Sequence, residues 1–333
     1  MHFTHSLTHS LSVTRLLTRS LAHSLAQVDV TADSVLLSGV RGRRSKQEMF
    51  FKSYGNVPEG NAVVMEIPFS ALGSAPTAAS ATWEERWNGN TFEFITAKAA
   101  RPGPDGGVLV LLWGEEASGS LQLFDAQRRS VWGPTKYGET HGEATDVAVS
   151  RDGGSAAISG HGGDGEALFG KMTSVRLADG TLEWSKEFAI CDPAAYPTCK
   201  AIFNECWGVQ PAADGDGFVM ACGAGIENCD LLTGENLRQC QRDRPVAADP
   251  RPGAQPRPPA VWMSLIVRAA ANGQLRWQRI EQWRESGAPR VGQPGWEPHS
   301  SASEFAIAMR DGKYAFVQDE VIGVGLMLYD SGA

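Results

Sequence analysis

From Glu143 to Gly160 the chain reads E-A-T-D-V-A-V-S-R-D-G-G-S-A-A-I-S-G, and after a Gly-rich hairpin it reads S-V-R-L-A-D-G-T-L-E-W from Ser174 to Trp184. The first part alternates apolar and polar residues, turns at Asp152-Gly153 and alternates again. The second part gives a third alternating run, a turn at Asp179-Gly180 and a short run that closes on Trp184. Period-two alternation punctuated by Asp-Gly turns predicts antiparallel strands joined by tight hairpins. One sheet of four such strands leaves both faces and both edges open, so it needs neighbours of its own kind.

The rest of the chain supplies them. A first unit contains strands at Val28–Val30, Val35–Leu37 and Asn61–Pro68, and closes over Ala81–Trp87. A second starts at Thr91–Ile95, turns at Asp105-Gly106, continues through Val108–Trp113 and Ser120–Asp125, and closes at Trp132. The fourth starts at Glu205–Val209, turns at Asp214-Gly215, runs on through Phe218–Gly223 and is interrupted by an insertion over residues 224–260. It resumes at Trp262 and closes at Trp277. A fifth runs from Ser303 to Asp330 with a turn at Asp311-Gly312 and no closing Trp strand. A repeat of about 40–50 residues with four short strands each is the pattern of propeller blades. The expected fold is all-β, a β-propeller of five to six four-stranded blades over residues 28–330. Residues near Val28–Val35 are expected to complete the last blade and close the ring.

The chain has 333 residues, a net charge of −8 and a hydrophobic content of 42%, ample for a core and opposed to a nucleic-acid partner. No apolar run approaches the ~20 residues a membrane helix needs. The six cysteines, Cys191, Cys199, Cys206, Cys222, Cys229 and Cys240, all lie within one 50-residue stretch. They form no C-x-x-C pair and have no interleaved histidine, which argues against zinc. An even, clustered set suits up to three disulfides and an oxidising compartment, secreted or lumenal. Free thiols in a cytosolic protein are the alternative. Six prolines between Pro245 and Pro259 make the same insertion an extended tether.

Residues 1–27 carry no Asp or Glu, and Thr4–Leu7 is repeated at Thr8–Leu11. Three readings compete: an organelle-targeting segment, a secretory signal broken by Arg15 and Arg19, and a mis-assigned start. The last is favoured, and the segment, disordered or helical, is set apart from the fold. It holds four of the seven histidines, leaving His141, His161 and His299.

At Ala178–Trp184 and at Ala271–Trp277, A-N-G-Q-L-R-W, the sequence resembles the tryptophan-docking repeats of the PQQ-like, quinoprotein alcohol dehydrogenase-like β-propeller superfamily. The resemblance implies that each closing tryptophan docks against the peptide plane of a glycine in the next blade. It also implies that loops leading into the innermost strands share a face with those joining second to third strands. Glu143 and Glu205 each stand nine residues before an Asp-Gly turn, and Glu304 stands seven before its own. Glu93 occupies a similar place, and His141 and His299 precede Glu143 and Glu304 in their loops. These residues are the catalytic candidates, since carboxylates around a channel could hold calcium or, with histidine, move protons. Their alternative role is to cap loops. Trp296, Trp283 and His161 are candidate ligand contacts, and Trp207 is either part of the same aromatic platform or interblade packing.

The ligand set of the quinone enzymes has no residue-by-residue match, and their adjacent cysteines are missing. No metal site, calcium ion or PQQ is therefore assigned. Gly162–Gly165 is one incomplete copy of a calcium nonapeptide, and Asp214–Gly217 lacks the spacing of an EF-hand loop. The expected function is a non-catalytic binding or scaffold propeller that engages a protein or a glycan. The alternative is a quinoprotein-like oxidoreductase or a hydrolase.

Overall fold

The computed structural model describes residues 23–41, 61–72, 80–88, 96–113, 119–137, 143–163, 168–188, 203–226, 261–281, 301–310, 312–320 and 323–330. It is built from five antiparallel sheets, each made of consecutive strands in meander order. The first contains β1 (His23–Val30), β2 (Ser34–Arg41), β3 (Asn61–Pro68) and β4 (Trp83–Asn88). The second contains β5 (Thr96–Pro102), β6 (Val108–Trp113), β7 (Ser120–Phe124) and β8 (Ser130–Lys136). The third is β9 (Glu143–Val149), β10 (Ser155–Gly163), β11 (Leu168–Arg176) and β12 (Leu182–Phe188). The fourth is β13 (Phe203–Pro211), β14 (Phe218–Ile226), β15 (Val261–Ala269) and β16 (Leu275–Glu281). The fifth has three strands, β17 (Ser301–Arg310), β18 (Lys313–Glu320) and β19 (Gly323–Asp330). The chain is all-β and its sheets are propeller blades. The Cys- and Pro-rich insertion falls inside one blade, for Ile226 and Val261 sit opposite each other across it in the β14–β15 ladder.

Two compact units divide the chain. One comprises Met1–Val149, Gly153–Ala156 and Arg176–Thr181, the other Ser150–Asp152, Ala157–Val175 and Leu182–Ala333.

In the first unit, alternation along β2 and β3 sends Leu36, Ala62 and Val64 to one face. There they meet Ala97, Ala100, Val108, Val110, Leu112 and Phe124 of the second sheet. The opposite face collects Val35, Leu37, Val63, Met65 and Ile67. An ion pair ties the same two sheets together. Arg128 donates to both carboxylate oxygens of Glu66, at 2.6 and 2.7 Å, and lies over the Trp83 ring at 5.7 Å. Ser34 Oγ donates to the same carboxylate at 2.6 Å. Burial acts to raise the Glu66 pKa, but the hydrogen bonds from Arg128 and Ser34 and the Arg128 charge outweigh it and hold the group below its ordinary value.

Two of the closing tryptophans, Trp132 and Trp184, dock as the repeat implies. Trp132 donates from Nε1 to the Leu177 carbonyl at 2.7 Å, and its ring covers Gly180, where an added Cβ would come within 3.0 Å of the indole. The Tyr137 hydroxyl donates to the Gly180 carbonyl at 2.6 Å, and burial pushes that phenol up to about 12. In the second unit Trp184 does the same one repeat later. Its Nε1 donates to the Ala271 carbonyl at 2.6 Å and its ring covers Gly273. Asp216 steadies that turn by accepting from the Ala271 amide at 3.2 Å and from Arg276 Nη2 at 2.8 Å. Its neighbour Asp214 pairs with Arg268 at 2.5 Å. The Asp214–Gly217 loop therefore uses its carboxylates to brace the sheet. Across the fourth and fifth sheets, Val219, Ala221 and Ile266 pack on Ile307, Tyr314 and Phe316.

Two expectations are corrected. Residues 28–35 do not complete the last blade: they end β1 and open β2, with Val28 opposite Leu37 and Val30 opposite Val35. A tight turn, Thr31 N–H to the Ser34 carbonyl at 2.9 Å, returns the chain on itself, and this short loop costs less entropy than pairing with a strand at the far end of the sequence. β1 starts at His23, so residues 23–27, set apart with the leading segment, belong to the first sheet. The first described strand of the second unit is Thr96–Pro102, and the expected strand at Thr91–Ile95 lies outside the described residues. Its small side chains, Ala97, Ala99 and Ala100, are fully covered.

Candidate functional site

The first strand of each sheet positions the residues with chemistry, and its pairing with the second strand repeats in three sheets. In each, one extra residue interrupts the ladder: Ala26 between Leu25 and Gln27, Lys98 between Ala97 and Ala99, and Trp207 between Cys206 and Gly208. A bulge of this kind bends the strand and redirects one side chain. Two residues beyond Gln27, Ala99 and Gly208 stand Asp29, Arg101 and Gln210, opposite Leu36, Leu109 and Val219. Residues of equivalent register thus carry the polar groups of the inner strands.

In the first unit these groups neutralise one another. Arg101 on β5 donates to Asp29 of β1 at 2.8 Å, to Asp146 of β9 at 2.6 Å and, through Nε, to the Val147 carbonyl at 2.9 Å. The Gln27 amide, turned with its oxygen to the guanidinium, accepts from Nη1 at 3.0 Å. Burial acts to lower the Arg101 pKa, but Asp146 and Asp29 outweigh it and raise it, so the cation is permanent. Three first strands are tied by one guanidinium. Lys98, on the bulge, places Nζ 5.0 Å from the centre of the Trp113 ring.

In the second unit the bulge residue is Trp207, half-buried, with His161 of β10 packed against it at 5.6 Å between ring centroids. His161 is itself buried. The preceding residue, Cys206, faces Cys222 across the ladder and is joined to it by a disulfide. Gly170 of β11 lies against this bond, and a Cβ there would collide with Cys206 Sγ. Trp207 Nε1 is shielded from solvent and has no hydrogen-bond acceptor among the described residues.

Of the residues singled out in the sequence, the structure brings His161 and Trp207 together. Glu143, Glu205 and Glu304 lie on β9, β13 and β17, each the first strand of its sheet, and only their backbone is described. His141, His299, Trp283, Trp296, Glu93, Cys191, Cys199, Cys229 and Cys240 lie outside the described residues. Asp29 and Asp146 are held by Arg101, and no three His, Cys, Asp or Glu among the described residues cluster as metal ligands. Among the described residues no helix is long and apolar enough to cross a membrane.

No protein-family model and no curated protein sequence matches the chain. Among solved structures, the chain is similar to the quinohemoprotein alcohol dehydrogenase from Comamonas testosteroni, at 12% identity and a TM-score of 0.45, over 90% of this chain and 40% of that one. It is also similar to oligopeptidase B from Leishmania major, at 11% identity and a TM-score of 0.42, over 98% of this chain and 36% of that one. A third likeness is to the Dos1 propeller, at 9% identity and a TM-score of 0.40, over 92% of this chain and 67% of that one. The chain spans less than half the length of the dehydrogenase and of the peptidase. These are likenesses of fold.

Proposed function

We propose that this protein is a non-catalytic binding propeller that presents its loop face to a protein or a glycan. The observation that carries the reading is the closed ion cluster of Arg101, Asp29 and Asp146. Acid–base work needs a carboxylate free to exchange a proton with substrate. Here the described inner carboxylates of the first unit serve to fasten three strands to one another. An inner wall fastened by ion pairs is a framework on which a recognition surface can be carried. The disulfide between Cys206 and Cys222 supports a secreted or lumenal location.

The test is to present the purified full chain to a peptide array and a glycan array, and to search the native protein by mass spectrometry for a bound metal or quinone. Reversible capture on one array with no quinone retained is the expected result. A retained quinone, or no capture on either array, overturns the reading. Thiol counting under denaturing conditions tests the compartment, since six free thiols contradict an oxidising one.

A further inference from the structure

β19 is the third strand of the fifth sheet, and among the described residues nothing pairs with its far edge. It reads G-V-G-L-M-L-Y-D from Gly323 to Asp330. The strands that close the other four sheets are built differently. Each carries a cation: Arg86 on β4, Lys136 on β8, Lys186 on β12 and Arg279 on β16. Charge of this kind keeps an open edge from pairing with another chain. β19 has no cation and no proline, and its one charged residue is the terminal Asp330. One face beside that edge is uncovered as well. Tyr314 and Phe316 pack on the fourth sheet, so the intervening Ala315 and its ladder partner Leu328 point the other way, as does Leu326. At 63% and 67% exposed, Leu326 and Leu328 are the most exposed large hydrophobic side chains among the described residues.

We infer that two copies of the chain associate here, β19 pairing antiparallel with β19 of the second copy to make one sheet across both. Only another extended strand takes up a row of alternating N–H and C=O groups, and β19 is its own complement. In twofold pairing both copies lose the open edge at once and leave none for a third. Antiparallel pairing sets outward-directed residues opposite outward-directed ones, so the twofold axis passes through a residue and not between two. An axis at Met327, in the middle of the strand, sets Leu326 opposite Leu328 of the second copy and Leu328 opposite its Leu326. The exposed leucines thus form two apolar cross-strand pairs on one face. The same register sets Asp330 opposite Val324 of the second copy, which keeps the two carboxylates at opposite ends of the joint. This association is separate from the loop-face binding proposed above.

Sedimentation of the full chain from about 1 µM to about 100 µM tests the pairing, and a reversible monomer–dimer equilibrium is expected. Leu326→Lys combined with Leu328→Lys sets like charges opposite each other in both pairs. The dissociation constant should rise about tenfold or more, at an unchanged denaturation midpoint in dilute solution. Leu326→Glu combined with Leu328→Glu should do the same. Mixing the two double variants sets opposite charges against each other and should restore association, as a dimer of one copy of each. Where a variant is poorly folded, hydrogen exchange of the unaltered chain replaces it, and the β19 amides are expected to exchange more slowly at the top of the concentration range than at the bottom. A monomer throughout that range overturns the pairing. So does a dimer that survives both sets of substitutions, variants that stay apart on mixing, growth into open-ended assemblies, or β19 exchange that ignores concentration.

Discussion

Trp184 lies flat on Gly273, one repeat further along the chain, and donates its indole N–H to the Ala271 carbonyl at 2.6 Å. Gly273 meets two demands at once. It holds φ near +79°, which side chains with a Cβ disfavour, and it leaves room for a ring that a Cβ would penetrate. Gly273→Ala is therefore expected to destabilise the protein by about 2–4 kcal/mol, combining the left-handed backbone penalty with overpacking. Trp184→Phe keeps the ring and is expected to cost only about 1 kcal/mol, because the freed carbonyl is exposed to water. Urea denaturation midpoints of the two variants check the order.

Glu66 links stability to pH. Its pKa is lower in the folded protein than the value of about 4.3 expected for the unfolded chain. Between those two values the unfolded state binds more protons, so stability rises with pH across that window. The contribution is complete above the unfolded value and is lost as pH falls through the folded one. Glu66→Gln should abolish this component, leaving a shallower loss of stability on acidification below about pH 4.3. Denaturation midpoints of the variant and the unaltered chain, measured from pH 7 down to pH 3, give the comparison. Parallel curves would contradict the assignment.

Arg101 makes three diverging contacts that a single ammonium cannot reproduce, because the guanidinium offers donors along fixed directions. Arg101→Ala leaves two largely buried carboxylates without their cation and is expected to cost about 3–5 kcal/mol. Arg101→Lys should fall between, at about 2 kcal/mol. Thermal denaturation of both variants reads these losses.

Much of this architecture was legible in the sequence because it repeats. Asp179-Gly180 and Asn272-Gly273 stand before Trp184 and Trp277 in the same pattern, and the turns and docking sites follow from it. The Arg101 cluster gave no sequence signal: its partners lie 72 and 45 residues away and become neighbours only when successive sheets pack. The Cys206–Cys222 pairing was one of many open connectivities and is decided by strand register, which sets the two residues opposite each other.

The disulfide and Gly170 should behave as a coupled pair. Replacing both Cys206 and Cys222 by alanine removes a cross-link between residues 16 apart in sequence and is expected to cost about 3 kcal/mol. Gly170→Ala drives a Cβ into Cys206 Sγ and is expected to destabilise the intact protein by about 1–3 kcal/mol. In the protein lacking both sulfurs that collision is relieved, so the same substitution should cost less there. A double-mutant cycle on denaturation midpoints measures the difference, and strict additivity would contradict the packing described.

The most direct test of the protein as a binding propeller is to recover the captured ligand and weigh it. Peptides or glycans retained on the full chain are eluted after prolonged incubation at neutral pH and measured by mass spectrometry. The account predicts ligand of unchanged mass, released in proportion to the protein. Ligand recovered cleaved or oxidised, with turnover exceeding the amount of protein present, would contradict it.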